Sequence, residues 1–158
     1  MGPNISIKRR GFSLVELVIV VVILGIIGAI AIPRMSRGAS GAGESALIAD
    51  LAALRNAIEL YAAEHDGTYP TAADIVAQLT TYTDAAGDAQ AAADATHVYG
   101  PYLHSIPTLK VKGTRKGSSG IAAADAAGIG WIYTASTGSI AANSSETSSD
   151  GSTTYDAF

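Results

Sequence analysis

The sequence predicts an α+β fold: a long hydrophobic N-terminal helix packed on a small antiparallel β-sheet domain. Three observations carry this. Residues 12–32, FSLVELVIVVVILGIIGAIAI, form an apolar run with one ionisable group. Leu47, Leu51, Leu54, Ile58 and Tyr61 recur at spacings of 4, 3, 4 and 3, the signature of one helical face seeking cover. Past residue 99, short alternating segments lie between turns bearing Gly and Pro, the pattern of strands. A chain of 158 residues suits one domain with an appendage. It has no Cys, which excludes disulfides, thiolate catalysis and Cys-based zinc sites together.

The apolar run comes first. Its 21 residues would span about 31 Å as a helix, matching a hydrocarbon core of ~30 Å. Lys8, Arg9 and Arg10 precede it, so the positive-inside rule keeps the N-terminus cytoplasmic and sends the remainder across. Residues 1–37 carry a net charge of +4 and residues 38–158 carry −8, a membrane-targeted front joined to a water-exposed back. Two processing sites are open on these residues. Ala29-Ile30-Ala31 reads as a signal-peptidase site, whereas Gly11 lets a protease approach an unobstructed backbone. Glu16 is the anomaly: it either reaches water at the interface or serves a function, the default for an intramembrane carboxylate.

Lys8-Arg9-Arg10-Gly11 followed by Phe12-Ser13-Leu14-Val15-Glu16 resembles the leader and cleavage site of type IV pilins and type II secretion pseudopilins. Gly25 and Pro33 fall where that family has a Gly and a Pro, and the Tyr-Pro at 69–70 brings it closest to the major pseudopilin. The resemblance implies a leader, 1–11, cut after Gly11 by a prepilin peptidase that then N-methylates Phe12. It makes 12–33 the transmembrane and assembly helix, kinked between Gly25 and Pro33, with Glu16 pairing to a neighbour's N-terminal amine. That pairing is physically sensible: a carboxylate inside a helical bundle needs a counter-charge, and such a pair fixes register. The implied partners are further copies in a helical filament, minor pseudopilins, and an inner-membrane platform protein with a cytoplasmic ATPase. The implied location is the inner membrane with the globular domain periplasmic, and then a periplasmic or extracellular filament.

Residues 34–43 read as a Gly/Ser-rich link, because Gly38, Gly41 and Gly43 each weaken a helix by about 1 kcal/mol. The globular domain then runs over 44–143. Asp66-Gly67 with Pro70 stops the striped helix, and Thr71–Asp74 is a capping start for a short helix to about Tyr82. The Ala/Asp-rich stretch 84–96 belongs on the surface. Residues 99–107 resemble the pseudopilin passage into the sheet. Leu109 and Val111 alternate with Lys110 and Lys112 as a half-buried strand, and Thr137-Gly138 turns a hairpin between 130–133 and 139–142. Residues 144–158, mostly Ser, Thr and acids, predict a polar, flexible tail.

Few residues suggest chemistry. Lys110, Lys112, Arg115 and Lys116 form the one basic cluster beyond the front, but in an acidic domain they read as solvated rather than nucleic-acid-binding. His65, His97 and His104 lack ligand spacing and read as surface or capping residues. Major pseudopilins bind calcium near the C-terminus, which makes Glu146, Asp150 and Asp156 weak calcium candidates; no other cofactor is expected. No nucleophile–base pair or phosphate loop appears, so the expectation is not an enzyme. The leading expectation is a structural subunit of a type IV-like filament, foremost a type II secretion pseudopilus. The alternatives are a type IV pilin for motility, adhesion or DNA uptake, and a singly anchored periplasmic binding protein.

Overall fold

The computed structural model describes residues 11–158, with the side chains of 32–37 and 39 left aside. Lys8, Arg9 and Arg10 lie outside the described residues. The chain divides into two units, Met1–Gly38 and Ala39–Phe158. Helix α1 spans Leu14–Glu64. It is followed by α2 (Ile75–Thr80), β1 (Tyr82–Thr83), β2 (Ala89–Gln90), β3 (Gly120–Ala122), β4 (Ile129–Thr134), β5 (Ser139–Ala142) and a 3-10 turn, Tyr155–Ala157. The fold is α+β. Residues 34–43, read as a link, have helical backbone within α1, so their composition lowers helix propensity without ending the element.

In the second unit the leucine stripe is the centre of the core. Leu47, Leu51, Leu54, Ile58 and Tyr61 are all at most 2% exposed. They share one cluster with Trp131, Tyr133 and Ile140 from the sheet and Ile75 and Leu79 from α2. The two large aromatics keep their polar tips satisfied: Trp131 Nε1 donates to the Pro107 carbonyl at 2.8 Å and the Tyr133 hydroxyl to the Pro70 carbonyl at 2.9 Å.

The main sheet has the order β3-β4-β5. β4 and β5 form the expected antiparallel hairpin, with Thr134 opposite Ser139. β3 instead runs parallel to β4, so the sheet is mixed rather than antiparallel. Only residues 123–128 return the chain, far fewer than the dozen or more of an ordinary parallel crossover. The pairing is correspondingly brief, three residues with a register shift between Gly120 and Ile121. Close backbone approach permits it. A Cβ on Gly120 would stand 2.7 Å from the Gly128 carbonyl oxygen, and one on Gly130 would collide with that of Ser118. β1 and β2 form a separate antiparallel pair.

Local signals behave as written in several places. α1 ends with Asp66 at φ 53° and Gly67 at φ 80°, and the Gly67 N–H reaches the Ala62 carbonyl at 2.8 Å, a Schellman closure. Thr71 Oγ1 accepts from the Asp74 N–H at 3.2 Å and donates to Asp74 Oδ2 at 2.9 Å just before α2. α2 stops at Thr80, short of Tyr82, because Tyr82 is already paired in β1.

Two expectations fail, and one of the two readings of His65 holds. Leu109 and Val111 are buried and Lys110 and Lys112 are not, yet the segment is no strand. The Leu109 N–H and carbonyl bond to Ser118 and Gly117, closing a loop on itself. His65 is the capping residue and not a surface one, its ring bonding a carbonyl of the last turn of α1. It is buried and stacked on Tyr61 at 3.9 Å, with its ring nitrogens 2.8 Å from the Tyr61 carbonyl and 2.9 Å from that of Asp84. Residues 144–158 are not a flexible tail. Ser144, Ser148 and Tyr155 are buried, and Thr147 bridges Thr154. The reason is that two aromatic anchors, Tyr155 and Phe158, and a dense set of side-chain-to-backbone bonds offset the polar composition.

Two outcomes follow from this packing. Leu54→Ala opens a cavity with no freedom to collapse and should destabilise the second unit by about 2–5 kcal/mol in denaturant melts. Leu24→Ala, on an exposed stretch of α1, should leave the same transition unmoved. The second outcome concerns pH. Arg115, first, and Asn143 hold the Asp125 carboxyl down at about 2, against about 3.9 unfolded. Its stabilising contribution is therefore complete above pH ~4 and disappears as pH falls towards 2. Acid melts of Asp125→Asn should lack that part of the decline; a wild-type-like slope between pH 4 and 2 would refute the assignment.

Candidate functional site

The start of α1 is where sequence and chemistry meet. Ser13 occupies the N-cap, and the Leu17 N–H makes the first helical bond to the Ser13 carbonyl at 3.1 Å. Three residues on, Glu16 Oε2 accepts the Ser13 backbone N–H at 2.9 Å. This is the reach-back half of a capping box, with Ser at N-cap and Glu at N3. Phe12 and Leu17 stand at the two positions of a hydrophobic staple. The helix start is thus encoded in S-x-x-E, a signal present in the sequence that the charge argument passed over.

That finding gives Glu16 a local reason for existing. Its carboxylate satisfies an orphan N–H and sits at the positive end of the helix dipole. The same position lies one turn from Phe12, at the end of a segment that has no protein cover. Every large apolar residue from Phe12 to Ile30 is 48–80% exposed. Leu14–Ala31 is long and apolar enough to cross a membrane. Gly11 is equally open: a Cβ there would meet no atom within 4 Å. Gly25 also has open space about it, and Pro33 falls within α1.

The remaining candidates do not converge. Lys110 bonds Asp50 at 2.7 Å, and Arg115 makes a two-pronged pair with Asp125 at 2.6 and 2.9 Å, so half of the basic cluster is already engaged. His97 lies on Asp94 at 2.9 Å, where the carboxylate also caps the backbone of Thr96 and His97. Those backbone bonds, that of His97 foremost, hold the Asp94 carboxyl well below its usual range. His104 borders an open groove of about 380 Å³ beside Val76 and Ile106.

Of the calcium candidates Glu146, Asp150 and Asp156, it is the Asp150 carboxylate that protein donors already engage. Asp150 Oδ1 accepts from the Ser148 hydroxyl and from the N–H groups of Ser152 and Thr153, and Oδ2 accepts from the Thr153 hydroxyl. These bonds, that of Ser148 first, depress its carboxyl. Oδ1 is thereby saturated and Oδ2 keeps one lone pair, so Asp150 brings at most one open site to a cation that needs six to eight oxygens. The backbones of Glu146 and Asp156 are engaged here: the Glu146 carbonyl accepts from the Tyr155 N–H and the Asp156 N–H donates to the Ser144 carbonyl. Among the described residues no three His, Cys, Asp or Glu side chains gather around a point. Glu44 was missed entirely by sequence reasoning. It accepts from the Ser149 N–H and hydroxyl and from the Tyr155 hydroxyl, bonds that hold it below the usual carboxylate range.

Comparison with known families finds one match: residues 7–32 fit the prokaryotic N-terminal methylation motif. No curated protein and no solved structure matches the chain. The motif, which covers 26 of the 158 residues, supports a type IV pilin-like filament subunit. The apolar start of α1 is consistent with membrane anchoring.

Proposed function

We propose that the protein is a structural subunit of a type IV-like filament, foremost the pseudopilus of a type II protein secretion system. In this reading it is made as an inner-membrane precursor with its globular domain in the periplasm. The observation that carries it is the methylation motif on a segment, 12–30, whose large apolar side chains are all exposed, with one carboxylate a turn from the expected cleavage point. Cleavage after Gly11 turns the Phe12 amide into an amine, cationic near neutral pH. Glu16 then has a partner that a precursor cannot offer. In a bundle of such helices an unpaired carboxylate is heavily penalised, so a neighbour's amine favours one axial register over slipped ones.

Lipid gives the Phe12–Ile32 segment no hydrophobic reason to leave its bilayer, so close packing and that charge pair must bias assembly. Extraction needs external work, the task of a cytoplasmic ATPase acting through an inner-membrane platform protein. Minor pseudopilins would begin the filament. The absence of Cys favours the pseudopilus over pilins closed by a C-terminal disulfide. Secretion and twitching motility in a deletion strain distinguish the two readings.

Three outcomes test the proposal. Mass spectrometry of the membrane-extracted protein should show loss of Met1–Gly11 and one added methyl on Phe12; an intact Met1, or a cut after Ala31, would overturn it. Gln caps a helix as Glu does, so Glu16→Gln should keep the helix start and still abolish filaments. Filaments from the Gln variant would mean that Glu16 acts only as a cap. A fragment beginning at Glu44 keeps the whole stripe and its sheet, and should be soluble, folded and unable to polymerise. Polymerisation of that fragment would reduce the apolar segment to a mere anchor.

A further inference from the structure

We propose that residues 144–158 form a latch that binds α1 to the edge of the sheet through Glu44 and Arg55, and that it closes without a divalent cation. The latch begins where β5 ends and returns across α1. Its first fastening is the Glu44 carboxylate, which takes the Ser149 N–H at 2.6 Å, the Ser149 hydroxyl, and the Tyr155 hydroxyl at 2.9 Å. The second is Arg55, whose Nη2 donates to the Phe158 carbonyl at 2.6 Å and more weakly to that of Ile140 in β5 at 3.4 Å. Eleven residues of helix separate the two, about 16 Å along the axis.

Between the fastenings the segment is held from inside. Tyr155 is 2% exposed within the core cluster, and Phe158 packs against that cluster. The Ser148 N–H bonds the Thr153 carbonyl at 2.8 Å, and Asp150 ties the intervening turn with all of its oxygens directed at protein donors. A cation seated on both Asp150 oxygens would compete with three donors on Oδ1 and one on Oδ2, and would face the Ser152 and Thr153 N–H groups, which cannot ligate it. Hydroxyls and amides therefore do the work of closing this loop, and a carboxylate on α1 supplies the charge.

The full chain in detergent micelles provides the test. Thermal midpoints in excess EDTA and in millimolar calcium chloride should coincide. Cleavage within 144–158 by a nonspecific protease should be equally slow in both. Tyr155→Phe removes only the hydroxyl on Glu44 and should speed that cleavage about tenfold, as expected for losing a bond to a charged group when cleavage follows local opening. Glu44→Ala should speed it further, and the double variant should match Glu44→Ala alone, since both remove the same bond. A midpoint raised by calcium, or protection of the segment by calcium, overturns the metal-free closure. Unchanged cleavage in Tyr155→Phe, or fully additive effects in the double variant, overturns the latch.

Discussion

One helix must satisfy two kinds of surroundings, and the rest of the molecule follows from that constraint. Up to Ala31 the residues of α1, Glu16 apart, are apolar on every side, and the large ones are exposed. From Leu47 onward one apolar stripe is buried almost completely, while the other faces are exposed, Ile48 and Leu60 included. A helix apolar all round belongs in lipid or a bundle; a one-sided helix demands a layer to lie against. The mixed sheet, α2 and the C-terminal segment are that layer. None of them is long: β3 has three residues and α2 six. They are placed by what the stripe requires rather than by strong propensities of their own.

The small size of those elements explains how loops come to carry so much of the structure. With Ala so abundant, few side chains can fill a core, and the large ones cluster opposite the stripe. The loops compensate through polar contacts that close locally. Asp84, Asp94 and Asp150 each receive backbone N–H groups two to four residues on, turning exposed acidic stretches into ordered ones. His65 acts at longer range on carbonyls instead, joining the end of α1 to the Asp84 carbonyl.

What could be read in the sequence was whatever depended on short-range period or on a local turn. The stripe, the stop at Asp66-Gly67 and the hairpin about Thr137-Gly138 are of this kind. The capping box at Ser13 and Glu16 was equally local and equally legible, but Glu16 drew the eye as a charge in an apolar run. Other features were beyond such reading. The bonds of Glu44 to Ser149 and Tyr155 join positions over a hundred residues apart, and no window along the chain contains both ends. The alternation at Leu109–Lys112 was real as burial, yet alternation alone does not supply a neighbouring strand. The candidate site fared likewise: the motif was plain, while the unsuitability of Asp150 for an ion depended on its four donors.

Trp131 is the only tryptophan in the chain, and it lies wholly buried with its indole N–H on the Pro107 carbonyl. Its fluorescence is consequently a private channel to the second unit. Emission should be that of a dry indole while this unit is folded and should shift to the red when the stripe and sheet part. No tryptophan stands in the membrane-length segment to add a lipid-dependent background. The molecule thus reports on the state of its second unit optically, with no label attached.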